Sequence, residues 1–264
     1  MISLDMPLID CHTHIGHLPG VLRDVYTAAD LRYIVEHEGV SLMLASSAST
    51  STVGQTYGTD EAIAMVKDHG NCLGGIVWIN PRHPAWKSDV ERAAEHGFYG
   101  IKLHPVLDHY AVERDALDEV FSSAQEYDWP ILTHTGADGT PASAVCYEPL
   151  IKAYPDVVLI LAHLRLEAIP LAKRYDNVYL DTTYVAPAVV EIGVDAVGAD
   201  RILFGSDAAE GFDVGRTPGR IRPRRCYAGL IDALRRRGIS DTDLDKITYL
   251  NARSVFPIQD RRHL

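Results

Sequence analysis

Eight short apolar runs, rich in valine, isoleucine and leucine, recur along this chain and are separated by stretches with helical patterning. The runs lie at about 7–12, 40–46 (VSLMLAS), 72–79 (CLGGIVWI), 99–104 (YGIKLH), 130–135 (PILTHT), 157–163 (VVLILAH), 178–183 (VYLDTT) and 202–207 (ILFGSD). Amphipathic stretches at 28–38, 59–69, 88–96, 115–127, 147–154, 166–175 and 187–197 fill the intervals, with another near 223–237. Strands that are apolar on both faces and alternate with helices belong to a parallel sheet covered on its outer side. Eight strand–helix units predict a closed (β/α)8 TIM barrel. An open, doubly wound sheet is the competing fold. It is weakened because no GxGxxG or GxxxxGK[ST] loop follows the first run. A last segment at 241–256, with Asp241 and Thr242 as cap candidates, predicts an extra C-terminal helix.

The 264 residues suit one such barrel, which typically occupies about 250. With no repeat, low-complexity tract or linker, residues 1–264 read as a single domain. A formal net charge of −11 argues against nucleic acid as a partner. No apolar run approaches the ~20 residues that cross a bilayer. The opening MISLDMPLID has no basic n-region and so does not read as a secretory signal. Cys11, Cys72, Cys146 and Cys226 are scattered without a CxxC pair, which predicts reduced thiols and a cytoplasmic protein. A homo-oligomer is left open.

The residues able to do chemistry gather at one end of the predicted strands. His12 and His14 end the first run, Lys102 and His104 the fourth, His134 the fifth, His163 the sixth, Asp181 the seventh and Asp207 the eighth. In a barrel those C-terminal ends share one mouth, where active sites lie. Any single histidine here is readily explained as an individually satisfied side chain. Repetition from strand to strand is harder to explain that way. Neutral imidazoles with a carboxylate suit zinc and other divalent first-row metals.

The ordered set DCHTHIG, GIKLHP, PILTHTG, LILAHL, NVYLDTT, ILFGSD and NARSVF resembles the signature blocks of the metal-dependent amidohydrolase superfamily. The branch it is most similar to contains aminocarboxymuconate-semialdehyde decarboxylase and pyrone-dicarboxylate lactonase. The resemblance runs from residue 7 to about 256, and its specificity lies in the order of the blocks. It implies a barrel with metal at its mouth, His12, His14, His134 and Asp207 as ligands, and His163 as a ligand or a polarising group. A dication so held lowers the pKa of bound water. Asp207 would then serve as general base, and His163 would donate to a developing oxyanion. One divalent ion is expected, zinc first and manganese second. A binuclear site bridged by carbamylated Lys102 is the less favoured alternative to a Lys102 that pairs with a substrate carboxylate or a neighbouring acid. Lys102, His104 and Asp181 are additional candidates, Asp181 either orienting a ligand or capping its strand.

Asp10 precedes the His-x-His pair by two and is expected to share its inward face, with Cys11 pointing the other way. Trp78 and Trp86 flank the end of the third run as candidate pocket aromatics. An arginine-rich stretch, 216–237, departs from the acidic average. Arg235, Arg236 and Arg237 suit a helix C-terminus. The loop carrying Arg216, Arg220, Arg222, Arg224 and Arg225 is expected over the mouth (213–224), with Arg216 and Arg220 as candidates for an anionic substrate. A subunit interface or a solvated loop explains these arginines as well. The leading functional reading is hydrolysis of a small amide, ester or lactone. Decarboxylation of a small unsaturated or aromatic acid on the same site is the alternative, and a non-catalytic metal-binding barrel is the third reading.

Overall fold

The computed structural model describes residues 6–17, 25–208, 210 and 226–258. Nine parallel strands run in chain order: β1 (Ile9–Ile15), β2 (Leu42–Ser47), β3 (Leu73–Gly75), β4 (Val77–Trp78), β5 (Ile101–Leu103), β6 (Ile131–Thr133), β7 (Leu159–Leu161), β8 (Val178–Asp181) and β9 (Ile202–Leu203). They pair as β1-β2-β3 and as β4-β5-β6-β7-β8-β9. β3 and β4 are two halves of one barrel position, parted at Ile76, whose N–H donates to Ala45 O (2.9 Å) on β2. At the other seam Cys11 N–H donates to Phe204 O (2.9 Å) and Asp207 N–H to His12 O (2.8 Å). Hydrogen bonds thus join the eight positions of the TIM barrel where no extended ladder does. All eight predicted runs are strands at these positions.

The helices outside the ring are α1 (Ala28–Glu38), α2 (Ser49–Thr52), α3 (Gln55–His69), α4 (Trp86–Glu95), α5 (Arg114–Glu126), α6 (Glu148–Ala153), α7 (Ile169–Arg174), α8 (Pro187–Val197), α9 (Tyr227–Arg236), α10 (Asp241–Asp245) and α11 (Asn251–Val255). α1 shows how local chemistry sets such bounds. Thr27 and Asp30 form a reciprocal capping box, and Gly39 ends the helix at φ 74°. α3 starts four residues before the predicted position, at Gln55. The Gln55 side chain bonds Trp78 O (3.0 Å) and Asn80 N–H (2.7 Å), a tertiary anchor that outweighs the poor propensity of the preceding Ser/Thr tract. The predicted C-terminal helix is broken by a widened turn over Lys246–Leu250, and its cap is Ser240 rather than Asp241 or Thr242. Asn251 accounts for the break: its Nδ2 reaches Ala199 O (2.8 Å) and Ile202 O (2.7 Å), tying α11 to β9.

Two apolar layers follow from strand alternation. Outward residues such as Ile101, Leu103, Leu159 and Leu161 pack with the helices. Inward residues Ile9, Cys11, Leu44, Leu132, Ile160 and Leu203 form a second cluster with Ala252, Val255 and Phe256, so α11 and its following residue close the barrel floor. Trp86 belongs to the outer layer, not to a pocket. Among the described residues no helix is long and apolar enough to cross a membrane, and the four cysteines are free.

The phase expected of the first strand is also corrected. β1 slips register against β2, with Asp10 opposite Met43 but Thr13 opposite Ala45. This bulge reverses the phase of the strand, so Cys11 joins the inner cluster and Asp10 turns outward. There Asp10 accepts from Ser206 N–H (3.1 Å), Ser206 Oγ and the Tyr227 hydroxyl of α9 (2.6 Å). Burial raises its pKa to about 6 despite these donors. Removing one donor leaves a buried acceptor short of a partner. Tyr227→Phe is therefore expected to cost about 1.5–3 kcal/mol, measured by urea unfolding as a lower midpoint at an unchanged m-value.

Candidate active site

Each strand delivers its polar side chain because the chain leaves the barrel there and backbone pairing ends. His12 and His14 stand on β1, 1% and 7% exposed, their rings edge-on at 5.1 Å. The His12 Nδ1 lies 2.7 Å from Asp181 Oδ2, at the end of β8. A carboxylate only accepts, so Nδ1 carries the ring proton and Nε2 the lone pair. The other oxygen of Asp181 accepts from His163 N–H (2.8 Å) and Thr183 N–H (3.0 Å). Asp181 thus orients His12 and the turn after β7 together, beyond merely capping its own strand. Gly205 is required beside it, because a Cβ there would collide with Thr183 Oγ1 and lie 2.9 Å from His12 Cβ.

Asp207 follows β9 in the left-handed region, φ 62°, and His163 follows β7 at φ 71°. Such conformations are costly for residues with a Cβ and persist where surrounding contacts enforce them. For Asp207 that contact is its N–H bond to His12 O. Its Oδ1 lies 3.1 Å from His14 Nε2 and 3.6 Å from His12 Nε2, yet is buried without a well-formed hydrogen bond. His12, His14 and Asp207 each offer one atom within 4.8 Å of the others. Two imidazoles and a carboxylate oxygen that lacks a donor form a donor set suited to a divalent cation.

His134 is not part of that three-residue group. Its Nδ1 lies 2.9 Å from His163 Nε2, and its ring stacks on His104 at 4.0 Å. The His163 Nδ1 faces Thr183 O (3.1 Å), a carbonyl, so His163 carries its proton on Nδ1 and accepts at Nε2 from His134 Nδ1. This leaves the lone pair of His134 on its Nε2. Lys102, 1% exposed on β5, places Nζ 2.7 Å from His12 Nε2. His104 lies between Trp78 (5.4 Å) and His134 in a parallel stack.

Sequence reasoning missed several members of this site. Ser46 Oγ meets His14 Nδ1 at 2.9 Å, Thr183 Oγ1 meets His12 Nδ1 at 3.1 Å, and Asp108 accepts from Trp78 Nε1 (2.8 Å) and Ser51 Oγ. The available signal was register: Ser46 is the β2 partner of His14. Arg216 and Arg220, and the predicted mouth loop 213–224, lie outside the described residues.

The charges at the mouth are strongly held. Burial raises the Asp207 pKa, but His12, His14 and Lys102 outweigh it and keep the carboxyl well below its usual range. Burial likewise opposes the lowering of Asp181, which His12 and His163 carry down to about 2. Burial lowers Lys102 to about 8 against the pull of Asp207, Asp181 and Asp108. Burial, with the Lys102 charge, lowers His12 to about 4. Burial, with His163 and Lys102, lowers His134 to about 2, and burial dominates the lowering of His104 and His163.

A family model described as amidohydrolase matches residues 9–258. No curated protein matches the sequence. Among solved structures, a 2,6-dihydroxybenzoate decarboxylase complexed with 2,6-dihydroxybenzoate superposes with a TM-score of 0.73 at 16% identity, over 96% of this chain and 100% of that one. A 5-carboxyvanillate decarboxylase from Novosphingobium aromaticivorans, with bound manganese and 3-methoxy-4-hydroxy-5-nitrobenzoic acid, gives 0.74 at 14% identity, over 98% and 100%. A probable 2-pyrone-4,6-dicarboxylic acid hydrolase from Acinetobacter baumannii, with citric acid bound, gives 0.69 at 13% identity, over 96% and 100%. At these identities the likeness carries the fold.

The histidine pKa values set an acid limit on stability. His12, His104, His134 and His163 are lowered in the folded state, so below pH 6.5 the unfolded chain binds protons that the folded chain refuses, and stability falls with pH. Asp10, raised to about 6, works the other way at the acid end. For protein stripped of divalent ions, urea melts are expected to lose more than about 1.4 kcal/mol per pH unit between pH 7 and 6, the slope of one proton. A flat profile there would mean that the imidazoles are protonated in the fold.

Proposed function

Because this chain belongs to the amidohydrolase family, we propose that it is a metal-dependent hydrolase of a small, anionic amide, ester or lactone. The observation that supports the metal dependence is the convergence of His12 Nε2, His14 Nε2 and the donor-free Asp207 Oδ1 at the C-terminal mouth. These three residues would hold one divalent ion, zinc or manganese, with the Nε2 of His134 as a fourth donor. When bound, the ion supplies a Lewis acid that polarises a carbonyl and acidifies water.

The chain's own residues supply the rest. Asp207 is kept ionised by its neighbours, so it accepts the proton of the attacking water and passes it to the leaving group. Asp181 holds the His12 proton on Nδ1 and so keeps Nε2 turned to the mouth. His163 accepts from His134 Nδ1 and so keeps the His134 lone pair on Nε2, turned to the mouth. Lys102 and the arginines Arg216 and Arg220 favour an anionic substrate. Free cysteines fit a reducing, cytoplasmic setting.

Decarboxylation is the second reading. It is favoured by structural neighbours that are decarboxylases of aromatic acids, among them one with manganese bound. The same residues would then grip the carboxylate, and a proton would pass to carbon as CO2 leaves.

Three measurements test this. Elemental analysis is expected to find about one divalent ion per chain, lost in His12→Ala. Asp207→Asn is expected to abolish turnover, and His163→Asn to lower activity by about 10–100-fold. Turnover in H2 18O is expected to place the label in the product carboxylate. Release of CO2 with no label in the organic product would establish the lyase instead, whereas full activity without metal would remove the metal from either reading.

A further inference from the structure

Lys102 makes a contact that the proposed chemistry does not use. Its side chain is buried on β5, and among the described residues its ammonium forms no ion pair with a carboxylate. The Nζ instead lies 2.7 Å from the His12 Nε2. Because Asp181 fixes the His12 proton on Nδ1, Nε2 offers a lone pair, and Lys102 donates into it. That is the lone pair a metal ion at His12, His14 and Asp207 needs. One lone pair serves one strong partner.

Resting on the metal reading above, we propose that Lys102 and a divalent ion are alternative partners of His12 Nε2, and that loading the ion turns Lys102 into the group that binds the substrate's carboxylate. A displaced ammonium in a buried site needs a new acceptor. Metal and carboxylate therefore bind cooperatively, and each tightens the other by the same factor.

The test uses the full chain, stripped of metal and titrated with Zn2+ against a competing chelator, as wild type, Lys102→Met and Lys102→Gln. Circular dichroism checks that each is folded. Both variants are expected to bind zinc at least tenfold tighter than wild type. Equal or weaker binding by either folded variant overturns the proposal. In wild-type protein labelled with 13C at lysine Cε, the signal missing from the Lys102→Met spectrum is expected to move as zinc saturates. A stationary signal overturns the proposal even where the variants bind tighter, because the gain would then be relief of charge repulsion alone. Benzoate probes the second half: it is expected to bind zinc-loaded wild type at least tenfold tighter than zinc-loaded Lys102→Met, and equal binding overturns it. If none of the three proteins takes up zinc, the metal reading fails, and this inference fails with it.

Discussion

Between Asp10 and Thr13 the first strand takes three steps while its neighbour β2 takes two, from Met43 to Ala45. That single extra residue reverses which way the rest of β1 faces. Before it, Ile9 belongs to the barrel floor; after it, His14 lines the mouth beside Ser46. Asp10, at the slip, is sent outward to Ser206 and Tyr227, and so fastens the corner that carries Asp207. A regular strand would put Asp10 inside with His12 and His14 and leave that corner without its outer anchor. Bulges of this kind re-aim side chains where a ladder would hold them in the wrong phase.

The mouth is built from opposed demands. Burial penalises every charge there, and each charge persists because another stands close. Asp181 bridges His12 on β1 and the backbone after β7, so three barrel positions are tied through one carboxylate. The left-handed backbones of His163 and Asp207 store the strain this requires, and both sit where the chain turns out of the barrel. Geometry of this sort fixes donors before any ligand arrives.

Much of this was legible in the linear chain. Parallel strands buried on both faces must be apolar, so all eight barrel positions stood out, and His12, Lys102, His134, Asp181 and Asp207 showed at their ends. The phase of β1 did not, because a register slip is a property of two strands and leaves no mark in one. Ser46 and Thr183 stayed hidden for the same reason, being polar residues whose role depends on what lies across from them. The early start of α3 depended on Gln55 reaching a strand end far along the chain. Pairing between His134 and His163 likewise needs the adjacency of β6 and β7 and the precise turn of each ring.

Ala252, Val255 and Phe256 close the floor beneath Ile9, Leu132 and Ile160. A barrel stoppered at one end has a single doorway. Whatever is transformed must leave by the route its successor uses to enter, so spent product and fresh substrate queue for the same passage. The two chemistries would load that passage differently: a product that keeps a carboxylate competes with fresh substrate for the same cations, while a decarboxylated product leaves the site without the group that held it.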